Sequence, residues 1–139
     1  MKKYRLTDEK IIVGCRTLYR IQALRDFGDV KEGEFGGWIE SEKNLSHEGS
    51  AWIYGNAWVY GDADIKTTGD ICSMSGFGSK YRTTTAFRTK NGDVHVSCGY
   101  FFGSLDAFSQ RVESTHGNNL YGREYKKMIE LIKIHFGVE

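Results

Sequence analysis

Residues 76–100 read GFGSKYRTTTAFRTKNGDVHVSCGY, a glycine-punctuated loop that feeds a hairpin. Asn91-Gly92 is a strong two-residue hairpin signal, because a type I′ turn needs positive φ at both central positions. Pairing outward from that turn sets Lys90 against Asp93, Arg88 against His95, Phe87 against Val96 and Thr85 against Cys98. Side chains alternate across a strand. Thr85, Phe87, Val94, Val96 and Cys98 then share an apolar face, while Thr84, Ala86, Arg88, His95, Ser97 and Gly99 share the other. The second face sets small residues and hydroxyls beside a guanidinium, which is chemistry that can seat an anionic small molecule. The plainer alternative is a solvated sheet face. The loop before it lacks the GxxxxGK[ST] spacing and no helix pattern follows, so it offers at most a backbone nest for an anion.

Upstream, the chain is periodic. AWIYGN, AWVYGD, ADIKTT and GDICSM are consecutive six-residue units in which Ile53, Val59, Ile65 and Ile71 recur. An aliphatic residue at every sixth position marks a hexapeptide β-helix. A full coil takes about three units, so the repeat as counted is too short to stand alone. Its edge must be covered by the rest of the domain, by another subunit, or by pairing as an ordinary antiparallel sheet. Trp52, Tyr54, Trp58 and Tyr60 would point outward and form an apolar patch. Before the repeat, residues 3–13 and 17–24 alternate and read as paired strands around Val13-Gly14-Cys15.

After the hairpin, Ser104 reads as the N-cap of a helix that His116-Gly117 closes, and Asn118-Asn119 opens the last helix. Tyr121, Tyr125, Met128, Ile129, Ile132 and Phe136 make its core stripe. Leu131 and Ile134 fall off that stripe, which hints at an oligomer. The expected fold is therefore α+β: an N-terminal antiparallel sheet with short hexapeptide-repeat (β-helix-like) strands, the Asn91-Gly92 hairpin and two C-terminal helices. One domain is expected over residues 1–139, β-rich over 1–74, with the hairpin and helices over 75–139.

Charges nearly cancel to +1 and no basic run appears, which argues against polymeric DNA or RNA as a partner. No segment reads as membrane-spanning or as a signal core, so a cytosolic protein is expected. Cys15, Cys72 and Cys98 fit neither a disulfide framework nor a metal knuckle. His47, His95, His116 and His135 lack metal-ligand spacing, and no nucleophile elbow is present, so no metal, cofactor or catalytic set is expected. The chain reads as no enzyme; a hexapeptide-repeat acyltransferase is the catalytic alternative, and the shortness of the repeat argues against it.

The patterns YRLTDE at 4–9, CRTLYRIQALRDFGDVKEGEFGGWIESEKNLS at 15–46 and WIYGNAWVYGDA at 52–63 resemble phage and prophage proteins with YGNA repeats. The stretch from GFGSKY at 76–81 to THGNNLYGREYKKMIELIKIHF at 115–136 resembles their shared C-terminal module. In its few-repeat layout the chain resembles the first type of phage Thoeris anti-defence protein. That resemblance implies a homo-oligomer, in the family a hexamer, acting in the host cytoplasm. Such a protein sequesters glycocyclic ADP-ribose, and in some members cyclic di- or trinucleotides, without degrading the ligand.

A ligand with two phosphates and an adenine needs arginines and an aromatic platform, on which stacking contributes about 1–3 kcal/mol per base. The candidates are Phe77 or Tyr81 as the stacking ring, Gly78 and Ser79 as donors, Arg82 and Arg88 on phosphate, and Thr84 and Asn91 on polar edges. Arg25 and Arg111 are further candidates, contributed by a neighbouring subunit. The alternative function is a protein-binding inhibitor or a β-helix structural module of phage, using the aromatic repeat surface.

Overall fold

Aliphatic residues at Ile39, Leu45, Ile53, Val59 and Ile65 are all fully buried, and Ile71 packs against them. In the computed structural model, which describes residues 2–138 and leaves Met1 and Glu139 outside the described residues, this series is the axis of a short parallel coil. Trp38 and Ile39 pair with Trp58 and Val59, and Leu45 bridges to Ile65, a constant offset of twenty residues. The coil therefore begins before Ser50. The spacing from Leu45 to Ile53 is eight rather than six, and the two added residues hide the first turn from a search at period six.

Eight strands and two α-helices follow in order. The first sheet runs β1 (Tyr4–Val13), β2 (Arg16–Ala23), β3 (Phe35–Ile39) and β4 (Trp58–Val59), antiparallel except for the parallel β3–β4 step. The second is fully antiparallel: β5 (Ile71–Phe77), β6 (Arg82–Arg88), β7 (Val94–Cys98) and β8 (Phe101–Ser104). Helices α1 (Leu105–Thr115) and α2 (Leu120–Phe136) close the chain. The fold is thus mixed α+β, as expected.

The coil's edges are covered from within the chain. On one side β2 pairs with β3. On the other, Ala63 bridges Thr89, and the Asp64 and Lys90 amides donate to the carbonyls of Arg88 and Asp62 at 2.9 Å. The aromatic patch expected on the repeat is corrected by this cover. Trp52 is buried edge-on against Phe27 and Tyr4, and Tyr60 is buried under Phe102, 4.2 Å between ring centroids. Trp58 is half-buried, and of the four only Tyr54 is largely exposed.

The hairpin forms where expected but with another turn. The Gly92 amide donates to Thr89 O and the Thr89 amide to Asp93 O, both at 2.9 Å, with Gly92 at φ +85°. Asn91 is not left-handed; the connection is a β-turn closed by one glycine bulge, not a type I′ turn. Only the residue without a Cβ takes the positive φ, which removes the need to place Asn91 there. Register moves by one: Arg88 faces Val94, Ala86 faces Val96 and Thr84 faces Cys98.

A one-residue slip exchanges the faces of one strand. Ala86, Val94, Val96 and Cys98 now pack with Leu105, Phe108, Val112 and the α2 stripe, while Phe87 joins the coil core. The polar face expected from the sequence is thereby divided: Thr84, Ala86 and Arg88 lie on the helix side, while His95 and Ser97 lie with Thr85 and Phe87 on the coil side.

Both helices are capped as read. Ser104 Oγ accepts from the Ala107 amide and Asn119 Oδ1 from the Gly122 amide, while Gly117 is left-handed at φ +59°. On α2, Leu131 and Ile134 are exposed. No helix among the described residues is long and apolar enough to cross a membrane.

Candidate functional site

The β5–β6 loop, residues 78–81, stands over the same end of the second sheet as the β7–β8 turn at Gly99 and Tyr100. Arg82, the first residue of β6, crosses this end. Its guanidinium lies so close to Gly99 that a Cβ there would collide with Arg82 Nη1, so glycine leaves the passage free. Arg82 also lies over the Tyr100 ring, 5.8 Å from its centroid. Among the described residues it has no carboxylate or carbonyl partner.

Two clefts meet at this side chain. The loop lobe, about 380 Å³, is lined by Asn56, Trp58, Lys80, Tyr81, Arg82, Thr83, Ser97 and Gly99. The helix lobe, about 300 Å³, is lined by Arg82, Tyr100, Phe101, Arg111, His116 and Tyr125, with Cys98, Phe108, Val112 and Thr115 completing it. No carboxylate among the described residues lines either lobe. Two arginines and a lysine among aromatic rings and hydroxyls make a site that attracts an anion and offers π-faces beside it. Small-molecule sites are concave, mostly apolar volumes of about 300–1,000 Å³ with a few convergent polar groups, and the paired lobes have that size and chemistry.

Beneath the helix lobe lies a buried polar chain. Thr84 Oγ1 donates to Cys98 Sγ at 3.2 Å, and Cys98 Sγ lies 3.7 Å from Tyr125 Oη. Burial, then the neighbouring Cys98, holds the Tyr125 phenol well above its usual pKa. It stays neutral and fixed as part of the floor. Among the described residues no cluster of three or more His, Cys, Asp or Glu could hold a metal ion.

The structure brings together Tyr81, Arg82 and Arg111 from the residues singled out in the sequence. Arg111 lines the helix lobe of its own chain, over the Phe101 ring at 5.5 Å. Ser79 is exposed on the loop. The others are elsewhere or already engaged. The Gly78 amide donates to Glu124 Oε1 at 3.0 Å, which removes it as a free donor. Phe77 faces a separate groove beside Met74, Met128 and Leu131. Thr84 is buried under the sheet. Arg88 donates to Phe136 O at 2.6 Å and Gly92 O at 2.7 Å, and Asn91 is exposed in the turn beside it, both at the far end of β6. Arg25 donates to His47 O at 2.9 Å in the first half of the molecule.

The ligand candidates read from the sequence omit Trp58, Lys80 and Tyr100, while Gly99 enters only as part of the hairpin's second face. Lys80 lies between two of the candidates, Ser79 and Tyr81, and Tyr100 follows Gly99 of that face. Trp58 carries no local sign, because its place at the cleft depends on Ser97 Oγ donating to its carbonyl at 2.6 Å across 39 residues of chain.

The fold and cleft define a mixed α+β protein with a short parallel coil and a cationic cleft at one sheet end. No family model matches the chain. It is similar to the uncharacterized acetyltransferase YdcK of Escherichia coli (strain K12), 40% identical over 62 residues, which is 39% of this chain. The chain spans only 19% of the length of that relative. This likeness, to a protein named as an enzyme, overturns the expectation that the chain is no enzyme.

Proposed function

We propose that the Arg82 cleft binds a cyclic nucleotide immune signal, glycocyclic ADP-ribose or a cyclic di- or trinucleotide, and sequesters it from its receptor. The protein then acts as a phage anti-defence protein of the Thoeris type, in the host cytoplasm and as a homo-oligomer, a hexamer by that resemblance. One observation carries the reading: Arg82, with no ion-pair or hydrogen-bond partner among the described residues, stands where two aromatic-walled lobes meet, and none of the described residues that line them is a carboxylate. A cyclic nucleotide has diffuse anionic charge and flat bases, and it gains from both features. To compete with a receptor the site needs roughly nanomolar affinity, about −12 kcal/mol. The exposed Leu131 and Ile134 on α2 give an oligomer an apolar surface to bury.

The test is calorimetry with glycocyclic ADP-ribose on the wild type and on Arg82→Ala. Tight binding that weakens at least tenfold in the variant supports the reading. Uptake indifferent to Arg82, or none by the wild type, overturns it.

A second reading rests on the likeness to the acetyltransferase-named relative. There the same cationic cleft would take the phosphates of an acetyl donor such as acetyl-coenzyme A. Release of free thiol from acetyl-coenzyme A in the presence of acceptor amines would favour that reading over sequestration.

A further inference from the structure

Tyr81 is the only non-glycine residue with positive φ among the described residues, at +53°. Bulky L-residues rarely adopt that conformation, and where it persists it clusters at ligand clamps and switch segments. Here it sends the ring out over the loop lobe, where it is 70% exposed. The segment that carries it is held at both ends. The Gly78 amide is anchored on Glu124, and Phe77 pairs with Arg82 across the strand ends. Between those anchors the Tyr81 amide makes only a long bond, 3.3 Å, to Gly78 O.

Trp58 lines the same lobe and differs in every respect. It pairs with Trp38 in the parallel β3–β4 step, its carbonyl accepts from Ser97, and its side chain is half-buried. One wall of the lobe is thus fixed to the coil and the other is hinged on a strained loop.

We infer that Trp58 and Tyr81 form an aromatic clamp that takes the planar base of a nucleotide in the loop lobe while Arg82 holds its phosphate. The inference rests on the cyclic-nucleotide reading and adds to it the element that selects base-bearing anions over simple ones. Trp58 is the preformed platform. Tyr81 closes from the other side, and closure requires the φ that the loop already imposes.

The test compares adenosine diphosphate with inorganic pyrophosphate, which shares its phosphates but has no base. In tryptophan fluorescence titrations, adenosine diphosphate is expected to quench emission and pyrophosphate is not, and Trp58→Phe should remove the quench. Tyr81→Gly should weaken adenosine diphosphate about 5- to 100-fold, the range that loss of one stacking contact gives. It should leave pyrophosphate within twofold, and Tyr81→Phe should restore affinity for adenosine diphosphate. Glycine accepts the left-handed backbone, so the variant keeps the loop and should not lower the melting temperature.

Equal loss of both probes in Tyr81→Gly, no loss of either, or a wild type that does not separate the two would overturn the clamp. If Arg82→Ala abolishes uptake of glycocyclic ADP-ribose while Tyr81→Gly changes nothing, the clamp is wrong and sequestration stands. If the wild type takes up adenosine diphosphate with base discrimination but not glycocyclic ADP-ribose, sequestration is wrong and the clamp stands.

Discussion

Strand β6 begins and ends in arginine, and the two could hardly be used more differently. Arg88 spends both terminal nitrogens on backbone carbonyls, Gly92 O and Phe136 O, and lies over the Phe136 ring at 5.2 Å. It closes the turn and neutralises the carbonyl end of α2, where a cation is favoured by the helix dipole. Arg82, about 20 Å away at 3.3 Å per residue, lies across a glycine and has no such partner among the described residues. In sequence both are a basic residue beside threonine or phenylalanine. Only the fold separates a cation that holds the structure from one left available to a ligand.

The largest expected effect removes what lies between them. Phe87→Ala takes a fully buried ring out of the coil core from the strand that also packs on the helices, and should cost about 3–5 kcal/mol in denaturant unfolding. A loss below 1 kcal/mol would mean that the two halves do not depend on this contact.

The two arginines should then divide cleanly. Arg88→Ala should lower stability by about 1–3 kcal/mol, the worth of charged hydrogen bonds to carbonyls, and leave cyclic-nucleotide uptake within twofold. Arg82→Ala should do the opposite, with stability within about 0.5 kcal/mol of wild type. An exchange of the two phenotypes would break the comparison.

Gly99→Ala sharpens it further. The residue has φ +59° and its Cβ would displace the tip of Arg82, so about 1 kcal/mol of stability should be lost together with part of the uptake. Unchanged binding in that variant would show that the position of the guanidinium over Gly99 is immaterial.

A pH dependence concerns a third cation of the Arg88 kind. Lys3 is fully buried and donates to Ala51 O at 2.6 Å; burial, then the charge of Arg25, lowers its pKa from 10.5 to about 8. Between those values the unfolded chain keeps a proton that the folded chain has released. Stability should therefore rise with pH from about 8 to about 10.5, and Lys3→Met should flatten that rise in thermal melts taken across the range.

Helix ends were legible because their signals are local: Ser104, Asn119 and Gly117 cap through neighbours no more than five residues away. The hairpin was legible as an element, but its register was not, since Asn91-Gly92 serves two turn types that differ by one residue. The coil was half-read because two extra residues separate Leu45 from Ile53. Burial of Trp52 and Tyr60 was unreadable, because Phe27 and Phe102 cover them from distant parts of the chain.

The same distinction runs through the site. Chemistry alone named Tyr81, Arg82 and Arg111, which the fold sets around two clefts that share Arg82. It named Arg88 with equal force, because the carbonyl that occupies Arg88 belongs to a residue 48 positions away.

Amide chemical-shift mapping on titration with glycocyclic ADP-ribose tests the central claim most directly. The account predicts perturbations gathered at Lys80, Tyr81, Arg82, Gly99 and Tyr100, with the Arg88–Val94 end of the sheet quiet. Shifts concentrated around Arg88, Gly92 and Val94, or none at saturating ligand, would contradict it.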